Sequence, residues 1–267
     1  MWTFTTDAEE FARAAEPFLL TDPVSNTVPL TVLAGLRAGL PAQDAYFGWW
    51  TDGGQVRGAA FRTPPRPVGL ARMPLRAVAE LVRALKGDIP EVVGPRELTD
   101  EVARALGRSG HVLPERLYRL GTLTVPDVPG RGRPAVEADL PLLVSWMYAF
   151  FAEVKLGVGE DVPERTRQRL SMGELFVWES GGVPVSFAAL SPAAGGVCRI
   201  GPVYTPPEQR RRGHGAAVTA HTSHVGLAER CDEVVLFTDL GNPTSNAVYR
   251  SIGYEPVSDY AQVTFYR

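Results

Sequence analysis

Three arginines, Arg210, Arg211 and Arg212, stand directly before Gly213-His214-Gly215 in the stretch TPPEQRRRGHGAAVTA, residues 205–220. Cations followed by spaced glycines and a helix-forming run have two chemical uses. They can neutralise nucleic-acid phosphates, or they can form a turn whose backbone N–H groups converge on one anion at a helix N-terminus. The chain carries a formal net charge of −3 and a pI near 5.9, and no aromatic residues interleave the arginines. Both features speak against a nucleic-acid partner, which wants basic excess and stacking platforms. The phosphate-cradle reading is therefore preferred. No G-K-[ST] follows, and Gly213-His214-Gly215-Ala216-Ala217-Val218 lacks the third glycine of a dinucleotide fingerprint. The cofactor is some other pyrophosphate.

Groups able to move protons lie elsewhere in the second half. Tyr249 is a phenol with an ordinary pKa of about 10, suited to donating a proton, with a buried core tyrosine as the alternative reading. Glu153 and Asp239 are the carboxylates that could accept one, although Glu153 could equally be a solvated helix end and Asp239 could order a turn. Asn242-Pro243 reads as an N-cap followed by proline at the first helical position. His221 and His224, with His214 nearby, lack H-E-x-x-H and an acidic third ligand, so they are expected to be surface histidines and no metal is expected.

The elements that must position these groups form two similar runs. TVPDVPGRGRP (124–134) reads as a linker. After it come two helices and the meander ELFVWES-GG-VPVSFAALSPA-AGG-VCRIGPVYT, whose Gly-Gly pairs predict tight hairpin turns. The helix opened by the arginine stretch follows, then EVVLFT as a strand, NPTSNAVYRSIGY as a helix and YAQVTFYR as a closing strand. In the first half, YFGWWTD-GG-QVRGAAFRT and EVVGPRELTDEVARALGRSGH repeat the same order. At the place of the arginine loop stands LARMPLRAVAEL, without a glycine pair.

Arg210-x-x-Gly213-x-Gly215, with Asn242, Tyr249 and Gly253-Tyr254 further on, resembles the signature of the GNAT superfamily of N-acetyltransferases over about residues 131–267. The first half looks like a decayed second copy. The resemblance implies a mixed α/β fold with a mostly antiparallel sheet flanked by helices, and splayed strands in the C-terminal half. It implies residues 1–128 as a degenerate domain and 129–267 as the catalytic one. By the same resemblance, Val203, Tyr204 and Thr205 would bond pantetheine. Arg210, Arg211, Arg212, Gly213, His214, Gly215 and Ala216 would cradle the pyrophosphate of acetyl-coenzyme A, with Asn242 contacting it too. Tyr249 would protonate the departing thiolate. The family often places a glutamate on the strand before the loop; VCRIGPVYT has none, which leaves Glu153, Asp239 or a water relay as the base. The implied activity is direct acetyl transfer to a primary amine, of a small molecule or a peptide. A non-catalytic acyl-CoA sensor is the alternative, and the oligomeric state stays open.

The rest of the composition sets bounds. At 267 residues and 45% hydrophobic, the chain suits one large or two ordinary globular domains. Two cysteines make no disulfide framework, and the acidic start lacks the pattern of a signal peptide, so a cytoplasmic protein is expected. LPLLVSWMYAFFA (140–152) is too short to span a bilayer, so no membrane partner is expected.

Overall fold

A computed structural model describes residues 1–40, 43–154 and 161–266. Two compact units emerge from the chain contacts. One comprises Met1–Tyr118, Thr238–Asn242 and Pro256–Arg267; the other comprises Arg119–Phe237 and Pro243–Glu255.

The first unit begins with β1 (Trp2–Thr5), α1 (Ala8–Leu19), α2 (Thr27–Arg37), β2 (Tyr46–Asp52), β3 (Gln55–Arg62) and β4 (Val68–Leu70). It continues with α3 (Leu75–Ala84), β5 (Glu91–Pro95), α4 (Arg96–Leu106) and β6 (Gly110–Leu120). Local chemistry sets the ends. Asp7 caps α1, its Oδ1 accepting the N–H groups of Glu9 at 2.8 Å and Glu10 at 3.3 Å. Gly53 and Gly54 take φ of +56° and +78°, the double positive φ that a two-residue hairpin with the strands' own twist requires. The apolar faces of α3 (Val78, Leu81) and α4 (Leu98, Val102) close over Val92 and Val263 in one core.

The second unit repeats that succession element for element. It runs β7 (Arg131–Pro134), α5 (Leu140–Glu153), α6 (Val162–Ser171), β8 (Leu175–Ser180), β9 (Val183–Leu190) and β10 (Val197–Tyr204). Then follow α7 (His214–Glu229), β11 (Glu233–Asp239), α8 (Pro243–Ser251) and β12 (Tyr254–Phe265). Its strands lie in the order β11-β10-β9-β8-β7, with only the β10–β11 pair parallel. The core under α5 holds Leu143, Trp146, Val177, Phe187 and Tyr204, with Trp146 stacked on Phe187 at 6.1 Å. Truncating a fully buried Phe187 would cost about 3–5 kcal/mol. α7 packs against β8, β9 and β10 through small residues such as Ala217, Val218 and Ala220. Its buried hydroxyls bond back to the preceding turn, Thr222 to the Val218 carbonyl and Ser223 to the Thr219 carbonyl. Small side chains let the helix sit close to the sheet.

Two sequence expectations change here. The glycine- and proline-rich 124–134 stretch is not all linker, because Arg131–Pro134 pairs antiparallel with β8 from Arg131↔Glu179 to Pro134↔Phe176. The closing strand starts earlier than YAQVTFYR and leaves its own unit. From Tyr260↔Pro95 to Thr264↔Glu91, β12 pairs antiparallel with β5, so the chain's end completes the first unit's sheet. A cut at 128/129 therefore does not follow the compact units. Mixed α/β architecture with a mostly antiparallel sheet holds throughout. No described helix is long and apolar enough to cross a membrane.

Candidate active site

The geometry that matters begins where β10 loses a partner. Its parallel pairing with β11 runs from Val197↔Glu233 to Ile200↔Leu236, while β10 itself continues to Tyr204. On the other side it stays bound to β9 through Val203↔Ala188 and Tyr204↔Phe187, past an irregularity between Ile200 and Val203. Pro202, inside that irregularity, has no N–H to give a regular ladder. Backbone beyond Ile200 thus lacks a β11 partner, which is the open edge an amide-containing chain could join.

Nine residues then lead to α7. A 3-10 turn at Pro207–Gln209 gives way to Arg210 in extended conformation, and Arg211 takes φ +61°. Gly213, as N-cap, sits at φ +81° and ψ −2°. Left-handed residues set among others turn successive N–H groups toward a common side, the arrangement of an anion nest. Ala217 donates to the Gly213 carbonyl at 3.0 Å as the helix closes its first turn. The N–H groups of His214, Gly215 and Ala216 precede that bond and have no helical carbonyl behind them. A helix start of this kind carries partial positive charge as well as donors.

The glycines are there for reasons the sequence does not display. An added Cβ on Gly213 would lie 2.8 Å from Cγ2 of Val128, and the φ itself disfavours any side chain. One on Gly215 would meet Oγ1 of Thr205 at 3.3 Å. Two internal constraints act on these glycines. One is a backbone turn wedged against Val128, and the other is close packing on the end of β10. Val128 belongs to the stretch read from the sequence as a linker. Trp178 fixes the same segment by donating to the Pro129 carbonyl at 3.3 Å.

The arginines divide by partner. Arg210 turns away from the loop: its Nε donates to the Thr205 carbonyl at 2.9 Å, and its Nη2 reaches both carboxylate oxygens of Glu153 at 2.5 and 2.7 Å. Its guanidinium also lies 5.8 Å from the Tyr204 ring centroid. Arg212 makes one long contact, 3.3 Å to the Gln209 side chain. Tyr204 is buried against Trp146, and its carbonyl accepts the Ser186 hydroxyl at 2.9 Å. Ser186 also bonds Oγ1 of Thr205 at 2.8 Å, a pin on the strand end that no local sequence signal announces.

Tyr249 lies on α8 with its ring edge-on to Tyr254 at 6.2 Å. Burial of the hydroxyl pushes its pKa up to about 12. Tyr254, the first residue of β12, in turn shares a 2.8 Å hydrogen bond with Ser223, which ties the start of that strand to α7. Asp239 belongs to the other compact unit by contact, as does Asn242. Oδ1 of Asp239 accepts the Gly241 N–H at 2.6 Å, and its carbonyl accepts the Asn242 N–H at 3.1 Å, so this residue orders the turn leading to Pro243. The Asn242 side chain is exposed.

Of the three histidines expected at the surface, one is there. His224 is exposed, but His214 is buried and burial lowers its pKa, with the Gln209 backbone opposing and the Arg212 charge adding to the shift. His221 lies flat on Gly132, where a Cβ would come within 2.1 Å of the ring, and edge-on to Phe176 at 6.0 Å. Burial lowers its pKa too, helped by the charge of His224. Both are packing residues.

Residues 143–254 match the family model described as the acetyltransferase (GNAT) family. Among solved structures, an acetyltransferase from the GNAT family of Colwellia psychrerythraea aligns over 100% of both chains with a TM-score of 0.66 at 10% identity. A GCN5-related N-acetyltransferase from Sphaerobacter thermophilus aligns over 98% of this chain and 94% of its own, with a TM-score of 0.65 at 16% identity. A tandem GNAT protein from the clavulanic acid biosynthesis pathway aligns over 98% of both chains, with a TM-score of 0.57 at 14% identity. At these identities the likeness carries the fold. A search of curated proteins gave no match.

Proposed function

We propose, from the premise that residues 143–254 are an acetyltransferase domain of the GNAT family, that this domain transfers acetyl from acetyl-coenzyme A to a primary amine. The observation that carries the reading is the loop from Arg210 to Ala216, with left-handed residues at 211 and 213 and a helix start behind it. Those features fit a pyrophosphate without requiring a metal, and the unpartnered β10 backbone beyond Ile200 fits the amides of pantetheine. Coenzyme A supplies the activated thioester. What the chain supplies is position and a donor.

Tyr249 is that donor. With a pKa near 12 it stays protonated at any physiological pH. A thiolate with a conjugate pKa of about 8.5 is a weaker base than the Tyr249 phenolate would be, so the hydroxyl stabilises the leaving sulfur by hydrogen bonding. An amine of pKa about 10 must first lose one proton to solvent or a base before attack. The attacking nitrogen gives up a second as the amide forms, and that one balances the proton the sulfur takes. Both candidate acceptors have other partners, Glu153 with Arg210 and Asp239 with Gly241. A water relay is the account that fits those engagements.

The same engagements favour the second reading, a sensor that binds acyl-CoA without turning it over. A thiol-release assay with acetyl-CoA across small amines, polyamines, amino acids and peptide N-termini separates the two. Turnover on any amine establishes the transferase; tight coenzyme A binding with no turnover across the panel establishes the sensor. The expected setting is the cytoplasm.

A further inference from the structure

We infer that Glu153 is a positioning residue, which holds the phosphate loop in its binding conformation through Arg210. The inference rests on the coenzyme A site proposed above. Arg210 is the first cation of the run, yet its side chain serves the loop's foundations. It bridges the carbonyl of Thr205, just past the end of β10, to Glu153, the last residue of α5. Its guanidinium covers the Tyr204 ring on the way. Three elements, β10, α5 and the loop, are thus fastened at one planar group, whose fork geometry suits two simultaneous acceptors.

The loop needs such a fastening. Arg211, the next residue, holds φ +61°, a conformation that non-glycine residues keep only when their surroundings impose it. Gly213 meets the same demand at lower cost. The residue before Arg211 is therefore where a tether does most to fix the direction of the N–H groups that follow. It also leaves Arg211 and Arg212 as the cations of the loop itself. Glu153 and Arg210 are both partly exposed, at 44% and 42% of their side-chain surface, so the effect of losing the pair is modest in size. It should fall on binding.

The test is a double-mutant cycle on the full chain, read by calorimetric titration with coenzyme A and by steady-state kinetics on whichever amine is turned over. Glu153→Ala and Glu153→Gln are expected to weaken coenzyme A binding about two- to fivefold, within the range of exposed ion pairs. KM for acetyl-CoA should rise to match, with kcat within about twofold and an unchanged pH profile. Arg210→Ala, which also loses the Thr205 carbonyl, should lose at least as much as Glu153→Ala, and the double variant no more than Arg210→Ala. Glu153→Asp, which keeps the charge, should recover part of the loss. A kcat loss of about tenfold or more at constant KM, with a shifted acidic limb, would make Glu153 the base and overturn the inference. Additive losses in the double variant, or unchanged affinity in Glu153→Ala, would overturn it too. Absence of coenzyme A binding in the unaltered protein would instead remove the site on which the inference rests.

Discussion

After β4 the chain takes four residues, Ala71 to Pro74, to reach α3; after β10 it takes nine, Thr205 to Gly213, to reach α7. The two loops stand at the same point in the same succession of elements, and they spend their backbone differently. In the first, Ala71 donates to the Ala59 carbonyl at 2.9 Å, and Met73 is buried so closely against β3 that a Cβ on Gly58 would lie 2.6 Å from its own. None of its four residues has positive φ, and the N-cap is Pro74, which has no N–H at all. In the second, two left-handed residues turn the amides outward, and the loop's anchoring is delegated to side chains: Arg210, Glu153 and Val128. The helices after the next strand differ in parallel. α8 carries Tyr249, whereas α4 reads RELTDEVARAL and has no tyrosine. A fold of this kind therefore does not by itself carry the proposed anion site. What distinguishes the second loop is its length, two positive-φ positions and a tether.

The largest predicted effect concerns the tyrosine present in one helix and missing from the other. Tyr249→Phe keeps the ring against Tyr254 and removes the hydroxyl. We expect kcat to fall about 100-fold or more while KM for acetyl-CoA stays within about twofold. Steady-state kinetics with full activity in this variant would reduce Tyr249 to packing.

Next in size is the loop backbone. Gly213→Val puts a branched side chain at φ +81° and against Val128, so the amides behind it lose their common direction. Calorimetry should record coenzyme A affinity about tenfold weaker or worse. Gly53→Ala is the matched control: its φ of +56° imposes backbone strain of about 1–2 kcal/mol, nothing lies within 4 Å, and it sits in the first unit. It should lower the unfolding midpoint and leave binding alone. Equal loss of binding in both would mean that strain anywhere suffices.

The cations give a smaller contrast. Arg72, in the first loop, is paired with Asp22 at 2.9 Å, so Arg72→Ala should not change coenzyme A affinity. Arg212→Ala should weaken it about two- to fivefold at low salt, and less at high salt. Smallest of all is the pH effect. In the proposed role Tyr249 donates while protonated and would fail as pH rises through its pKa near 12. Between pH 7 and 10, rate profiles of the unaltered protein and Tyr249→Phe should therefore have the same shape. A limb present only in the unaltered protein would contradict the burial of that hydroxyl.

These contrasts also mark where the sequence was informative. The Gly-Gly hairpins, the glycine-flanked helix start and the repeated order of strands and helices were legible, because turn chemistry and periodicity are local. β7 was hidden, since Gly132 and Pro134 disguise a four-residue strand that exists only through its pairing with β8. The path of β12 was hidden for the same kind of reason: its register is set by β5, about 170 residues earlier in the chain. In the site, the loop was visible but not its supports. Glu153 and Arg210 are 57 residues apart, and nothing in either neighbourhood announces that they pair. Buried histidines read as surface ones because a long run of small residues conceals which face of α7 is covered.

The central claim, that one loop binds coenzyme A and its counterpart does not, is tested most directly by stoichiometry. The full chain is the right sample, because β12 completes the first unit's sheet and a C-terminal fragment would strand it without β5. Calorimetric titration with coenzyme A should give one site per chain, lost or strongly weakened in Gly213→Val and unaffected in Arg72→Ala. Two sites per chain, or one site indifferent to Gly213→Val, would contradict the account.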